Sequence, residues 1–196
     1  MPGSETALAT KADLRSAALQ RRDQLSPDAR AAAAEALSAY PLPVVVPSGG
    51  VVAGFSPIRS EINPFPLLRR FVDAGACLAL PKIVKRGDPL SFRAFTFGEE
   101  LPRGQWGIRE PRPDAPEVFP DIVIVPLAAF DRRGYRIGYG AGYYDLTLTK
   151  LRAMKPITAL GLAYAMQEIA TVPALAHDAQ LDFVLTEHEL IDCRGA

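Results

Sequence analysis

Four β-branched residues in a row, Ile122-Val123-Ile124-Val125, bounded by Asp121 and Pro126, leave this chain few folds to choose from. A run without alternation is apolar on both faces, so both faces must be covered, as they are for a parallel strand inside an α/β sheet. Other short apolar segments read as strands: VVAGF at 51–55, ACLALP at 76–81, and ITALGLAY at 157–164 and DFVLT at 182–186 as the last two. LSFRAFTF at 90–97 alternates with period 2. Helical patterns cover 6–25, about 28–40 after the Ser26-Pro27 cap, 62–74 up to Gly75, and about 142–154. Strands alternating with helices predict an α/β fold with a largely parallel sheet flanked by helices on both faces. Without a repeat or composition break, residues 1–196 read as one domain, with residues 1–6 expected to be flexible.

Composition narrows the function classes. Twenty-two Lys and Arg balance 22 Asp and Glu, which argues against coating nucleic acid or an anionic membrane, since both need a net basic surface. No stretch approaches the length of a membrane span, and the first 15 residues lack an apolar core of the secretory kind. Two distant thiols, Cys77 and Cys193, make no disulfide framework. Cys77, inside ACLALP, reads as a buried strand thiol. The expectation is a cytoplasmic monomer acting on small molecules.

The densest chemistry is Arg136-Ile137-Gly138-Tyr139-Gly140-Ala141-Gly142-Tyr143-Tyr144-Asp145, which leads into a helix. Alternate glycines let backbone N–H groups approach an anion, and a helix N-terminus adds positive potential. Arg136 offers a forked cation for phosphate, and Asp145 a carboxylate for a divalent metal bound to it. The loop is neither a Walker A loop nor the dinucleotide fingerprint of a Rossmann unit. The plain alternative is a turn whose glycines only permit positive φ.

A second constellation lies on the first helix. At about 100° per residue, Lys11, Arg15 and Arg22 fall within roughly 40° of one another, between Leu8 and Leu19 on one side and Leu14 and Leu25 on the other. Asp13, Ser16, Gln20, Asp23 and Gln24 form the solvated face. A cationic stripe on the packing arc either snorkels over the leucines or faces an anionic ligand.

The stretch DIVIVPLAAFDRRGYRIGYGAGYYD closely resembles the signature of 5-formyltetrahydrofolate cyclo-ligases, also called 5,10-methenyltetrahydrofolate synthetases. Weaker pieces follow in the family's order: Lys11 and Arg15 as K-x-x-x-R, FSPIRSEI, ALPKIV, LPRGQWGIREP, GLAYAMQE, VPALAHD and DFVLTE. Two positions depart from the common pattern: Leu146 stands where Arg often follows the YYD, and Asn63 where Thr often stands two residues after the Glu. The resemblance implies ATP-dependent closure of 5-formyltetrahydrofolate to 5,10-methenyltetrahydrofolate. By that resemblance, Lys11, Arg15, Arg136 and the loop through Tyr144 hold ATP, with Lys11 and Arg136 acting on the transferring phosphoryl group. Asp145 and Asp178 hold Mg²⁺. Glu61 binds the pterin, whose amide N–H and adjacent amino group suit a bidentate carboxylate. Ser56, Trp106, Tyr139 and Tyr143 line the folate side. Read without the family, Glu61 opens a helix as a dipole partner, His177-Asp178 is a capped turn, and His188 is surface. The loop alone does not specify the acceptor, so another ATP-using ligase or a binding module that has lost catalysis fits it too.

Overall fold

The computed structural model describes residues 10–41, 44–47, 49–104 and 107–195. The expectation for residues 1–6 lies outside these. Helix α1 (Lys11–Asp23) starts at a reciprocal cap: the Thr10 hydroxyl accepts from the Asp13 amide, and the Asp13 carboxylate accepts from the Thr10 amide. That cap starts the helix later than the periodicity suggests. Helix α2 (Pro27–Ala39) has Ser26 as its N-cap and Pro27 in the first turn, as read from the sequence.

Strands β1 (Val51–Ala53), β2 (Cys77–Lys82), β3 (Ser91–Phe95), β4 (Glu117–Val118), β5 (Ile122–Pro126), β8 (Thr158–Leu162), β9 (Phe183–Leu185) and β10 (Leu190–Asp192) form one sheet. Their order is β10-β9-β8-β5-β1-β2-β3-β4. The run β9-β8-β5-β1-β2 is parallel, and antiparallel strands finish both edges. A separate hairpin, β6 (Ala129–Phe130) with β7 (Arg136–Ile137), projects after β5. The expected α/β sheet with helices on both faces is therefore present.

The double-sided run at 122–125 explains the layering. Ile122 and Ile124 pack with Val52, Leu78, Leu80, Leu160 and Leu162 against α2 and helix α3 (Phe65–Asp73). Val123 and Val125 turn to the other face, against Leu148 and Leu151 of helix α4 (Tyr143–Met154). Each such buried aliphatic side chain contributes about 1.5–3 kcal/mol. Helix α1 stands off the sheet, with Ala18 packed on Ala129, Ile137 and Val172. Among the described residues no helix is long and apolar enough to cross a membrane.

Four expectations are corrected. Helix α3 begins at Phe65 rather than Ile62, because Pro64 biases Asn63 away from helical geometry and the Asn63 side chain accepts from the Phe65 amide at 3.1 Å. Glu61 consequently sits in a loop and opens no helix. Cys77 is exposed, since it is the first residue of β2 and burial starts at Leu78. DFVLT does not supply the last strand: Thr186 closes a tight turn, its amide donating to the Glu189 carbonyl at 2.9 Å, and β10 pairs back on β9.

Candidate active site

The sheet order fixes where a ligand can enter. From β1 the chain crosses through α3 to β2 on one side; from β5, its neighbour, it crosses through α4 to β8 on the other. Helices α3 and α4 cover opposite faces, so the loops leaving β1 and β5 diverge and open a crevice at their carboxyl ends. The loop after β1 carries Ser56 and Glu61. The loop after β5 carries the β6–β7 hairpin and the glycine stretch.

That hairpin is tightly specified. Asp131, 1% exposed, accepts from the amides of Arg133 (3.0 Å), Tyr135 (3.2 Å) and Val172 (2.9 Å). Gly134 turns the chain at φ 83° and donates to the Asp131 carbonyl at 3.0 Å. Buried Gln167, from the turn after β8, donates to the carbonyls of Leu127 (2.8 Å) and Ala128 (2.9 Å) and accepts from the Tyr164 amide (2.9 Å). It thereby ties the loops after β5 and β8 together.

The hairpin hands the chain to Gly138. Gly140 and Gly142 adopt φ of 96° and 69°, values that a side chain would strain. Gly138 has no such φ, and a Cβ built there would meet nothing within 4 Å. The simple turn reading therefore accounts for two of the three glycines. Gly142 caps α4 without a side-chain hydrogen bond, and Gly140, Ala141 and Gly142 are exposed. Arg15 donates through Nε to the Gly138 carbonyl at 2.6 Å, which fixes the loop against α1. Ile137 is core.

Four charges from distant parts of the chain meet beside this loop, paired crosswise. The Lys11 ammonium donates to Asp178, and Arg136 donates to Asp145 at 2.8 Å. The Arg136 side chain is only 4% exposed and also donates to the Ala179 carbonyl, while the Ala179 amide donates to Asp145 at 3.0 Å. Burial lowers the Arg136 pKa from its ordinary value, and the Asp145 carboxylate opposes that fall. Burial acts to raise Asp178, but the Lys11 ammonium and the Leu175 amide outweigh it and leave the carboxyl below its ordinary range. His177 is exposed and 3.9 Å from Asp178, too far for a hydrogen bond. Asp182 accepts from the Ala159 amide and Arg152, joining β8 to β9.

Across the crevice, a turn with Arg59 at φ 53° folds Glu61 back so that its carboxylate accepts from the Ile58 amide at 2.8 Å. Glu61 is 9% exposed. Burial pushes its carboxyl above the ordinary value; the Ile58 amide, the Tyr139 hydroxyl and the Arg22 guanidinium oppose the rise. Tyr144 packs inward against the α4-side core. Its hydroxyl is raised by burial and then by the charge of Glu61, with Arg136 opposing, so it lies between the two halves of the site. Tyr143 is half-buried, and Ser56 is bound to the loop ahead of β4, its hydroxyl donating to the Arg109 carbonyl at 2.6 Å. Trp106 lies outside the described residues. Leu146 is exposed on α4, away from its buried side.

The helix stripe divides. Arg15 lies against the glycine loop and Lys11 against Asp178, and Asp13, Ser16, Gln20, Asp23 and Gln24 are all exposed. Arg22 instead reaches the loop after β1, donating to the Ser60 hydroxyl at 3.0 Å. Its inward position was readable from the stripe; its partner, brought in by the turn after β1, was not.

The donors at Asp145 and Asp178 are carboxylate oxygens, suited to a hard divalent cation. Among the described residues no group of three or more His, Cys, Asp or Glu could cage a metal. Two carboxylates leave most of a coordination shell to water and phosphate oxygens, which fits Mg²⁺ arriving with a nucleotide.

Residues 7–187 match the model of the 5-formyltetrahydrofolate cyclo-ligase family. A 5-formyltetrahydrofolate cyclo-ligase of Mycolicibacterium smegmatis is 34% identical over 187 residues, covering 90% of this chain and 93% of that one. The Escherichia coli protein of the same name is 33% identical, with 85% and 94% covered. Among solved structures, the 5,10-methenyltetrahydrofolate synthetase of Aquifex aeolicus is 30% identical with a TM-score of 0.77, covering 95% of this chain and 94% of that one. A Mycoplasma pneumoniae protein, at 22% identity and a TM-score of 0.70, shares the fold.

Proposed function

The chain belongs to the 5-formyltetrahydrofolate cyclo-ligase family, and on that premise we propose how its site converts 5-formyltetrahydrofolate to 5,10-methenyltetrahydrofolate with ATP. One observation carries the reading: the crossed pairs Lys11–Asp178 and Arg136–Asp145 beside an open glycine loop. In this assignment two cations and two carboxylates neutralise one another until a ligand of complementary charges arrives. Mg-ATP is such a ligand. Lys11 and Arg136 would serve its phosphate oxygens and Asp145 and Asp178 would hold its metal, so that no charge would be left buried without a partner. Arg15 keeps the loop seated through Gly138, and the loop amides and the α4 N-terminus receive the phosphates. Mg²⁺ held by Asp145 and Asp178 would supply Lewis-acid neutralisation of charge on the phosphates.

The chemistry asks for position rather than a nucleophilic side chain. A formamide oxygen is a poor leaving group. In the proposed sequence the formyl oxygen attacks the γ-phosphorus and ADP departs. N10 then bonds to the formyl carbon, N10 loses its proton, and the carbon–oxygen bond breaks with phosphate as the leaving group. The residues' work is to align the formyl oxygen with the γ-phosphate and offset developing charge. Glu61, at the far side of the switch-point crevice, accepts from the pterin amide and amino groups, with Ser56, Tyr139, Tyr143 and Trp106 assigned to the same side.

The test is direct. Protein mixed with Mg-ATP and 5-formyltetrahydrofolate should develop the near-UV band of the methenyl product, one ADP for each product formed. ATP hydrolysis only on addition of a different acid, with no methenyl band, would sink the assignment.

A further inference from the structure

The glycine loop and Glu61 stand on opposite sides of the crevice, and α1 touches both. Arg15 grips Gly138. Two helical turns later on the same face, Arg22 is 1% exposed. Its Nε donates to the hydroxyl of Ser60, the neighbour of Glu61, and that hydroxyl donates to Asp23. The guanidinium carbon also lies 5.8 Å from the centroid of the Tyr139 ring. Tyr139 belongs to the glycine loop, yet its hydroxyl interacts with Glu61. An arginine that only covered apolar surface would leave its head in water; this one is dry and fixed in orientation.

We propose that Arg22 is a positioning residue for the pterin anchor: fixed by Ser60, it holds Glu61 as a charged acceptor and links it through Tyr139 to the glycine loop. The inference rests on the reading of Glu61 as that anchor. Other groups bearing on Glu61 come from three directions: Tyr139 on the loop, Tyr144 on α4 and Tyr164 after β8. All three are phenols. Among the described residues, Arg22 is the cation whose charge opposes the burial of Glu61.

The experiment compares KM for 5-formyltetrahydrofolate and for ATP across pH in wild type, Arg22→Met, Arg22→Lys, Tyr139→Phe and Glu61→Gln. In Arg22→Met the folate KM should rise severalfold on the acidic side while the ATP KM stays within about twofold. The acidic limb, where folate KM worsens as Glu61 is protonated, should move to higher pH. Arg22→Lys restores the charge and should return the limb towards wild type. Tyr139→Phe removes the other opposing side chain and should move it the same way. An unmoved limb in Arg22→Met, or a lysine variant no better than methionine, reduces Arg22 to packing and overturns the proposal. If Arg22→Met does not fold, the lysine and Tyr139→Phe variants decide: a limb unmoved in Tyr139→Phe and an unchanged folate KM in both overturn it. Failure of the premise reads differently, as a Glu61→Gln enzyme whose folate KM is unchanged.

Discussion

Replacing Asp145 with Asn probes the crossed pairs with the least change of shape. The surviving partner, Arg136, has a side chain 4% exposed, so its guanidinium cannot recover its charge balance from water. Removing one member of a buried pair costs about 3–5 kcal/mol when the survivor stays dry. Two features reduce that figure. An amide oxygen at 145 can still accept from Arg136 and from the Ala179 amide, and Asp178 still bears on the guanidinium. The expected loss is about 2 kcal/mol, or roughly 6 °C for a chain of this size. Arg136→Met should cost less, about 1 kcal/mol, because it strands a carboxylate that is a quarter exposed and open to solvation. Denaturant unfolding with and without Mg-ATP is the assay. At a hundred times its Kd, Mg-ATP should add about 2.7 kcal/mol to wild type, and Asp145→Asn should lose most of that gain. A variant as stable as wild type that is stabilised equally by Mg-ATP would refute both the pairing argument and the metal assignment.

Two further outcomes follow from the geometry. Gly134→Ala would place a Cβ 2.5 Å from the Leu181 carbonyl oxygen and 2.8 Å from the Cys193 Cβ, at a φ of 83°; unfolding should show a loss of about 3 kcal/mol or more, and a loss under 1 kcal/mol would contradict the hairpin geometry. Glu61→Gln should flatten the pH dependence of stability. Burial raises the folded carboxyl, so its contribution is complete below about pH 4 and is lost as pH climbs through the folded value. The glutamine variant should therefore match or exceed wild type near neutral pH while calorimetry shows weaker folate binding and unaltered ATP binding. Loss of ATP binding would contradict the division of the crevice.

What was legible in the sequence was what local chemistry determines. Ser26-Pro27 starts a helix because both residues serve a helix N-terminus by themselves, and Ile122–Val125 declares a doubly covered strand without reference to anything distant. The inward face of α1 was readable for the same reason. Features set by distant partners were not. LID at 190–192 becomes a strand only because the Thr186 turn brings it against β9, and AF at 129–130 is too short to announce a hairpin. The α3 start moved because Pro64 and the Asn63 side chain overrode an apolar period. At the site, residue types and their loop singled out Arg136 and Asp145 as candidates, but their pairing with each other, and that of Lys11 with Asp178, depends on the segment at 175–179 arriving beside the loop. Arg22 shows the same limit: its burial was readable, its partner across the crevice was not.

In the proposed mechanism this crevice joins the γ-phosphoryl group to the formyl oxygen. The most direct test of that step is one turnover with 5-formyltetrahydrofolate labelled with ¹⁸O in the formyl group, followed by mass analysis of the released phosphate. Each phosphate should carry one labelled oxygen, taken out as the carbon–oxygen bond breaks. Unlabelled phosphate, with the label recovered in water, would contradict it.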